Sequence, residues 1–210
     1  RGHLDRLLPA RHRVQRIKHH PAMPYEDAPA FFGKLAERET VAAKALRFAI
    51  LTAARTGEVI GARWTEFDLD KAVWTIPAER MKGKREHRVP LSPPAVALVR
   101  SMIGGHAEWV FPGYRGKHLG DNAMLVLLGR MGRGDVTAHG FRSSFRDWAA
   151  EQTAFPREVA EACLAHVNSD RTEAAYLRSD FAAKRRDLLA AWARYLAGET
   201  EPKRLTVAAE

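Results

Sequence analysis

A chain of 210 residues can bury a real core in one domain and still leave extended ends, and its 34 Lys and Arg against 25 acids give a net +9 that favours a polyanionic partner such as nucleic acid. A single cysteine, Cys163, excludes an internal disulfide and reads as a core residue, while His106 and His118 have no partner at zinc or iron ligand spacing. There is no apolar run of membrane-spanning length and no signal-peptide pattern, so the expected setting is cytoplasmic, without a membrane partner or a metal cofactor.

Residues 1–23 are basic and lack a sustained apolar face, which reads as a linker or N-terminal extension, and order is expected from Pro24. There YEDAPAFFGKLAER carries acids and a proline ahead of Phe31, Phe32 and Leu35 on one side of a helix. The Ala-rich run over 40–53 predicts a central buried helix. Arg55 follows at once, with Thr56 as the expected cap of a short helix reaching Arg63. An arginine there is costly to bury without a counter-charge, so it needs either an anion or a carboxylate such as Glu58.

The strand-like region comes next. Residues 67–70, 72–76 and 87–91 predict three short antiparallel strands, with a basic turn around Gly83 between the last two. Ser92 and two prolines start another helix that Gly104 and Gly105 end, 106–120 is loop-like, and Asp121 is the expected cap of a helix over NAMLVLLGRM. The fold class is α+β, mainly helical with one small three-stranded antiparallel sheet.

The stretch 137–178 delivers polar residues from three short helices toward one place. Thr137 is an expected N-cap ahead of His139 and Arg142, which then lie at a helix start where a phosphate is well received. Pro156 opens a second helix with an apolar stripe of Val159, Cys163 and Leu164 that ends at His166. Asp170 and Glu173 form a capping-box pattern for a third, carrying Tyr176. Farther on, Leu188, Leu189, Trp192, Tyr195 and Leu196 make the apolar stripe of an amphipathic helix over 187–198. That stripe must be covered, either by the chain's own core or by a neighbouring subunit; packing in cis is expected, with the isolated domain mainly monomeric.

His139-Gly140-Phe141-Arg142, then Leu164-Ala165-His166, then Tyr176 ten positions after His166, resemble the C-terminal box of the tyrosine recombinases, in particular phage and prophage integrases. Upstream, Ala54-Arg55-Thr56-Gly57-Glu58-Val59 is similar to the family's first arginine motif. The resemblance covers about residues 24–198, implies a tyrosine recombinase catalytic-domain fold there, and leaves 199–210 as an expected disordered tail. It further implies a fragment of a longer protein whose missing domains would help grip DNA.

The roles implied are those of metal-free and ATP-free phosphoryl transfer. Tyr176 is the nucleophile, Arg55 and Arg142 hold the nonbridging phosphate oxygens, His139 takes the tyrosine proton, and His166 donates to the phosphate. In integrases the basic turn carries a lysine that protonates the leaving 5′ oxygen; counting back from the third strand matches it to Lys82, with Lys84 as rival. Lys82, Lys84, Arg85 and Arg146 are the expected DNA contacts, the last of these alternatively pairing with an acid. A tyrosine of pKa about 10 is only about one part in a thousand ionised at pH 7, a deficit of roughly 4 kcal/mol that a base or nearby cations must supply. The implied outcome is a 3′-phosphotyrosine link whose reversal rejoins strands, for integration or excision of a mobile element at double-stranded attachment sites. The full-length protein would assemble as a tetramer on that DNA, associated with the nucleoid. Two alternatives remain at this stage: a type IB topoisomerase, which shares the tyrosine chemistry, and a basic helical domain that binds DNA without cutting it.

Overall fold

The Ala-rich run after Thr40 is the centre of the molecule. In chain order the computed structural model, which describes residues 21–166 and 181–199, contains α1 (Ala28–Ala36), α2 (Val41–Thr52), α3 (Thr56–Ile60), β1 (Phe67–Asp68), β2 (Val73–Ile76), β3 (His87–Pro90), α4 (Pro93–Arg100), α5 (Ala123–Arg130), α6 (Phe141–Gln152), α7 (Arg157–Cys163) and α8 (Ala182–Leu196). Thr40 caps α2 by accepting from the Ala43 amide at 3.3 Å. Every residue of α2 from Ala45 to Thr52 except Arg47 is buried. Such a helix has no solvent face, so other elements must surround it, and α1, α3, α4, α5, α6 and α8 all pack on it.

The strands pair antiparallel in the order β1-β2-β3, with Phe67 opposite Trp74 and Ile76 opposite His87. Trp74, Ile76 and Val89 point inward and are fully covered. Phe48 of α2 meets Trp74 and Phe111 at ring-centroid distances of 5.3 and 5.5 Å, which seats the sheet against one side of the central helix.

α8 also packs on the central helix, in cis. Leu188, Leu189, Trp192 and Leu196 are buried and Tyr195 is half-buried. Trp192 stacks among Phe145, Trp148 and Tyr195, and its indole N–H donates to the Ile50 carbonyl at 2.9 Å. The helix starts earlier than its apolar stripe alone indicates, at Ala182, so Lys184, Arg185 and Arg186 are helical and Arg185 is buried. Its side chain donates to the Arg88 carbonyl of β3, which gives a buried guanidinium a reason to be there.

Several expected boundaries shift. Order reaches back past Pro24: Met23 is buried, and its carbonyl accepts from the Ser144 hydroxyl. Asp121 does not cap α5, which begins after Asn122 with no side-chain cap bond. Pro156 is the cap residue of α7 rather than its first residue. Tyr176, Asp170 and Glu173, the helix expected there, and the tail 199–210 beyond Glu199 lie outside the described residues. Among the described residues no helix is long and apolar enough to cross a membrane, and no group of three or more His, Cys, Asp or Glu is arranged to hold a metal ion.

Candidate active site

Two helices end at one place, and the site is built on their ends. The last carbonyls of a helix lack intrahelical partners and carry the negative end of its dipole, so cations are stabilised there. α2 ends at Ala53 in a left-handed conformation (φ 51°), and α7 ends through Leu164 and a left-handed Ala165 (φ 49°). Arg142, in the first turn of α6, is buried and bridges both: it donates to the Ala53 carbonyl and, at 2.7 Å, to the Leu164 carbonyl. Arg55 reaches the same end of α7, with Nη2 at 3.4 Å from the Leu164 carbonyl and 3.3 Å from that of Ala165. One carbonyl thus holds guanidinium groups from two separate elements.

Glu58 completes the clamp on Arg55. Its Oε1 accepts from Arg55 Nη1 at 2.7 Å and its Oε2 from the Arg55 backbone amide at 2.8 Å. The carboxylate pairing and the membership of the arginine cluster are therefore both realised in one side chain. Thr56 is not the cap of α3: Arg55 occupies that position, with Glu58 reaching back to bond its amide, and the helix stops at Ile60, before Arg63, with Gly61 as its C-cap residue. Burial, and then the Arg55 charge, push the Arg142 guanidinium down to about 10, against the opposing pull of Glu58 and Glu161, so it stays charged at neutral pH. Among the described residues each arginine makes three side-chain hydrogen bonds, fewer than the five N–H groups it carries.

His166 joins the cluster. Its Nε2 lies 3.2 Å from Arg142 Nη2 and its Nδ1 2.5 Å from Glu161 Oε2. Since Arg142 can only donate, this is the Nδ1–H form with Nε2 accepting, and donation from Nε2 to a phosphate requires a second ring proton. Glu161 escaped the sequence reading; a carboxylate five residues ahead of a histidine that lies past the end of its helix is a weak signal.

His139 stands in a turn that precedes α6. Thr137 caps that turn, accepting from the Gly140 amide at 3.0 Å, and not the helix itself, which starts at Phe141. The reason is Gly140: the Pro21 carbonyl lies 2.1 Å from where a β-carbon would sit, so the chain at Pro21 and Ala22 crosses directly over the turn and only glycine admits it. The Thr137 amide donates to that same Pro21 carbonyl at 3.1 Å.

Lys82, Lys84 and Arg85 sit on an exposed loop between β2 and β3, with Lys84 in the left-handed region (φ 51°). Arg146 is half-exposed and lies 3.3 Å from Asp147, the acid-paired alternative. Of the other tyrosines, Tyr25 donates to Glu151 at 2.9 Å and Tyr195 to the Tyr25 carbonyl at 3.2 Å. Glu151 is nine residues beyond Arg142 on α6, about 14 Å along the axis, so both hydroxyls belong to the far end of that helix.

Two further residues beside the cluster were not legible in sequence. His87 of β3 is pushed down to about 4 by burial first, then by the charges of Arg185, Arg55 and Arg142, against a hydrogen bond to the Cys163 backbone. It is a neutral ring set among three cations. Arg185 also approaches the Cys163 thiol, which burial pushes up to about 11, so Cys163 is a core residue and no nucleophile.

A mainly helical domain with a three-stranded sheet, whose arginine pair, one member of it buried, meets a histidine at one helix end, is the tyrosine recombinase catalytic-domain fold. The Phage integrase family matches residues 23–183, and the chain belongs to that family. It is 40% identical over 149 residues to prophage integrase IntA of Escherichia coli K12, covering 69% of this chain and 36% of that protein. It is 34% identical over 203 residues to the integrase of Enterobacteria phage P4, covering 86% of this chain and 46% of that one. The chain therefore spans about half or less of the length of these relatives. Among solved structures, a lambda integrase (75–356) dimer bound to a COC′ core site superposes with a TM-score of 0.56 at 16% identity, over 80% of this chain and 62% of that one.

Proposed function

We propose that this chain is the strand-cleaving and strand-rejoining part of a site-specific DNA recombinase serving integration or excision of a prophage-type element. The observation that supports this most is the meeting of Arg55 and Arg142 on the Leu164 carbonyl with His166 on Arg142. Two fixed, permanently charged forks with N–H groups to spare suit the two nonbridging oxygens of a phosphodiester. Tyr176 attacks phosphorus; the P–O5′ bond breaks, the tyrosine proton passes to His139, and the departing 5′ oxygen takes a proton from Lys82. A 5′ hydroxyl from a second strand reverses the sequence, so bond energy is kept in the 3′-phosphotyrosine and no ATP is needed. The partner is double-stranded DNA, with a tetramer of the full-length protein on it.

The experiment is capture on a nicked duplex that loses its short 5′ fragment after cleavage. Wild type gives an adduct that survives denaturant, and Tyr176→Phe gives none while keeping its circular dichroism and DNA binding. An adduct in the Phe variant would move the nucleophile to another residue. Exchange of strands between two duplexes, as opposed to relaxation alone, separates a recombinase from a type IB topoisomerase.

A further inference from the structure

The loop that carries Lys82 is exposed, yet the residue two positions before it is tied deep into the domain. Arg80 ends the short 3-10 turn Ala78–Arg80 and is largely buried. Its Nη1 grips both carboxylate oxygens of buried Glu66, which also accepts from the Trp74 indole N–H at 3.0 Å. Its Nη2 donates to the Glu58 carbonyl at 2.6 Å. Glu58 is the residue whose carboxylate holds Arg55. A continuous set of bonded groups therefore runs from the lysine loop through Arg80 to the arginine cluster. The turn has also made room for it: a β-carbon at Gly61 would meet Arg80 Nη2 at 3.0 Å.

We infer that Arg80 is a positioning residue for Lys82, fixing the N-terminal end of the lysine loop against the element that holds Arg55, so that the proton donor and the phosphate clamp keep one spacing. Met81, between the two, is buried, and its carbonyl accepts from the Lys84 amide at 3.0 Å, so the loop turns immediately after the anchor. Without Arg80 the buried Glu66 carboxylate loses its counter-charge and the loop loses its fixed end. A donor displaced by about 1 Å is enough to cost about 100-fold in rate. The inference rests on Lys82 being the acid in the proposed reaction.

The test separates the two. A duplex captured by wild type is selected from a randomised nicked pool, then resynthesised with sulfur in place of the bridging 5′ oxygen, a leaving group that departs without protonation. On the oxygen substrate Arg80→Gln and Lys82→Ala are each slower than wild type by about 100-fold or more; on the sulfur substrate both return to within about tenfold of it. Arg55→Lys stays slow on both, since its defect is in the clamp. Gly61→Ala, which crowds Arg80 without removing it, shows the same sulfur rescue in milder form and stands in if Arg80→Gln does not give a cooperative thermal melt. An Arg80→Gln rate within a few-fold of wild type on oxygen, or a defect that sulfur leaves untouched while it rescues Lys82→Ala, overturns the positioning role. If sulfur fails to rescue Lys82→Ala itself, the acid assignment falls, and the inference with it.

Discussion

The arginine cluster and the lysine loop are two halves of one proposed site, and they are built in opposite ways. Arg142 is sunk between the ends of α2 and α7 with its bonds already made, and Arg55 is locked by Glu58. Lys82, Lys84 and Arg85 stand in water on an exposed turn. The groups that must bind a permanent charge are held rigid by backbone carbonyls that need cations anyway. The group proposed to give up a proton, Lys82, is left on a short tether. Preorganisation is spent where the electrostatics are fixed, and freedom is kept where a proton moves.

The contrast is broken most directly at Arg142. Arg142→Lys keeps a charge and loses the fork, so cleavage falls by at least about 10² to 10³. The same change takes the guanidinium donor from the Ala53 carbonyl, at about 1 to 3 kcal/mol if it is orphaned, while the Leu164 carbonyl keeps Arg55. Urea denaturation beside single-turnover cleavage reads both, and an unaltered denaturation midpoint would show that the helix ends do not rely on this side chain.

At the lysine loop the two readouts come apart. Lys82→Ala reduces cleavage by about 10² to 10⁴ while stability stays within about 0.5 kcal/mol, because the side chain is exposed. Lys84→Ala in the same assay stays within about threefold of wild type. A reversal of the two rates would make Lys84 the donor.

A smaller effect sharpens the comparison between the buried and exposed halves through pH. His87 is neutral down to about 4 in the fold against an ordinary value of 6.5, so between these the unfolded chain binds the extra proton. Stability is whole above pH 6.5 and declines as the pH falls toward 4, by about 1.4 kcal/mol per unit and about 3 kcal/mol in all. His87→Gln removes that part of the decline, measured as the difference in unfolding free energy between pH 7 and pH 4.5. An equal slope in the variant would assign the acid sensitivity elsewhere.

Much of the fold could be read from local pattern. The apolar run of α2, the period-two strands and the stripe of α8 each carry their own signal, and the order of Arg55, His139, Arg142 and His166 carried the resemblance. What escaped was set by contacts distant in sequence. Arg80 meets Glu66 and Glu58 across the sheet, His87 gains its character from Cys163 and three arginines, and Arg185 looks like one more residue of a basic run until β3 covers it. Cap assignments were shifted by contacts that the local pattern does not show: Arg55, its amide bonded by Glu58, takes the cap position expected of Thr56, and Thr137 caps a turn that the chain at Pro21 crosses rather than α6 itself. Tyr176 was reached through the resemblance, by its place ten positions after His166.

That crossing at Gly140 makes the domain sensitive to traction. The Pro21 carbonyl is bonded to the Thr137 amide and rests on the bare α-carbon of Gly140, one residue from His139 and two from Arg142. A pull or twist on the chain ahead of Pro21 therefore acts first on the turn that aims the histidine and the arginine, with no flexible side chain between to absorb it. In mechanical terms the strand at Pro21 is a lever whose short arm ends in the candidate active site.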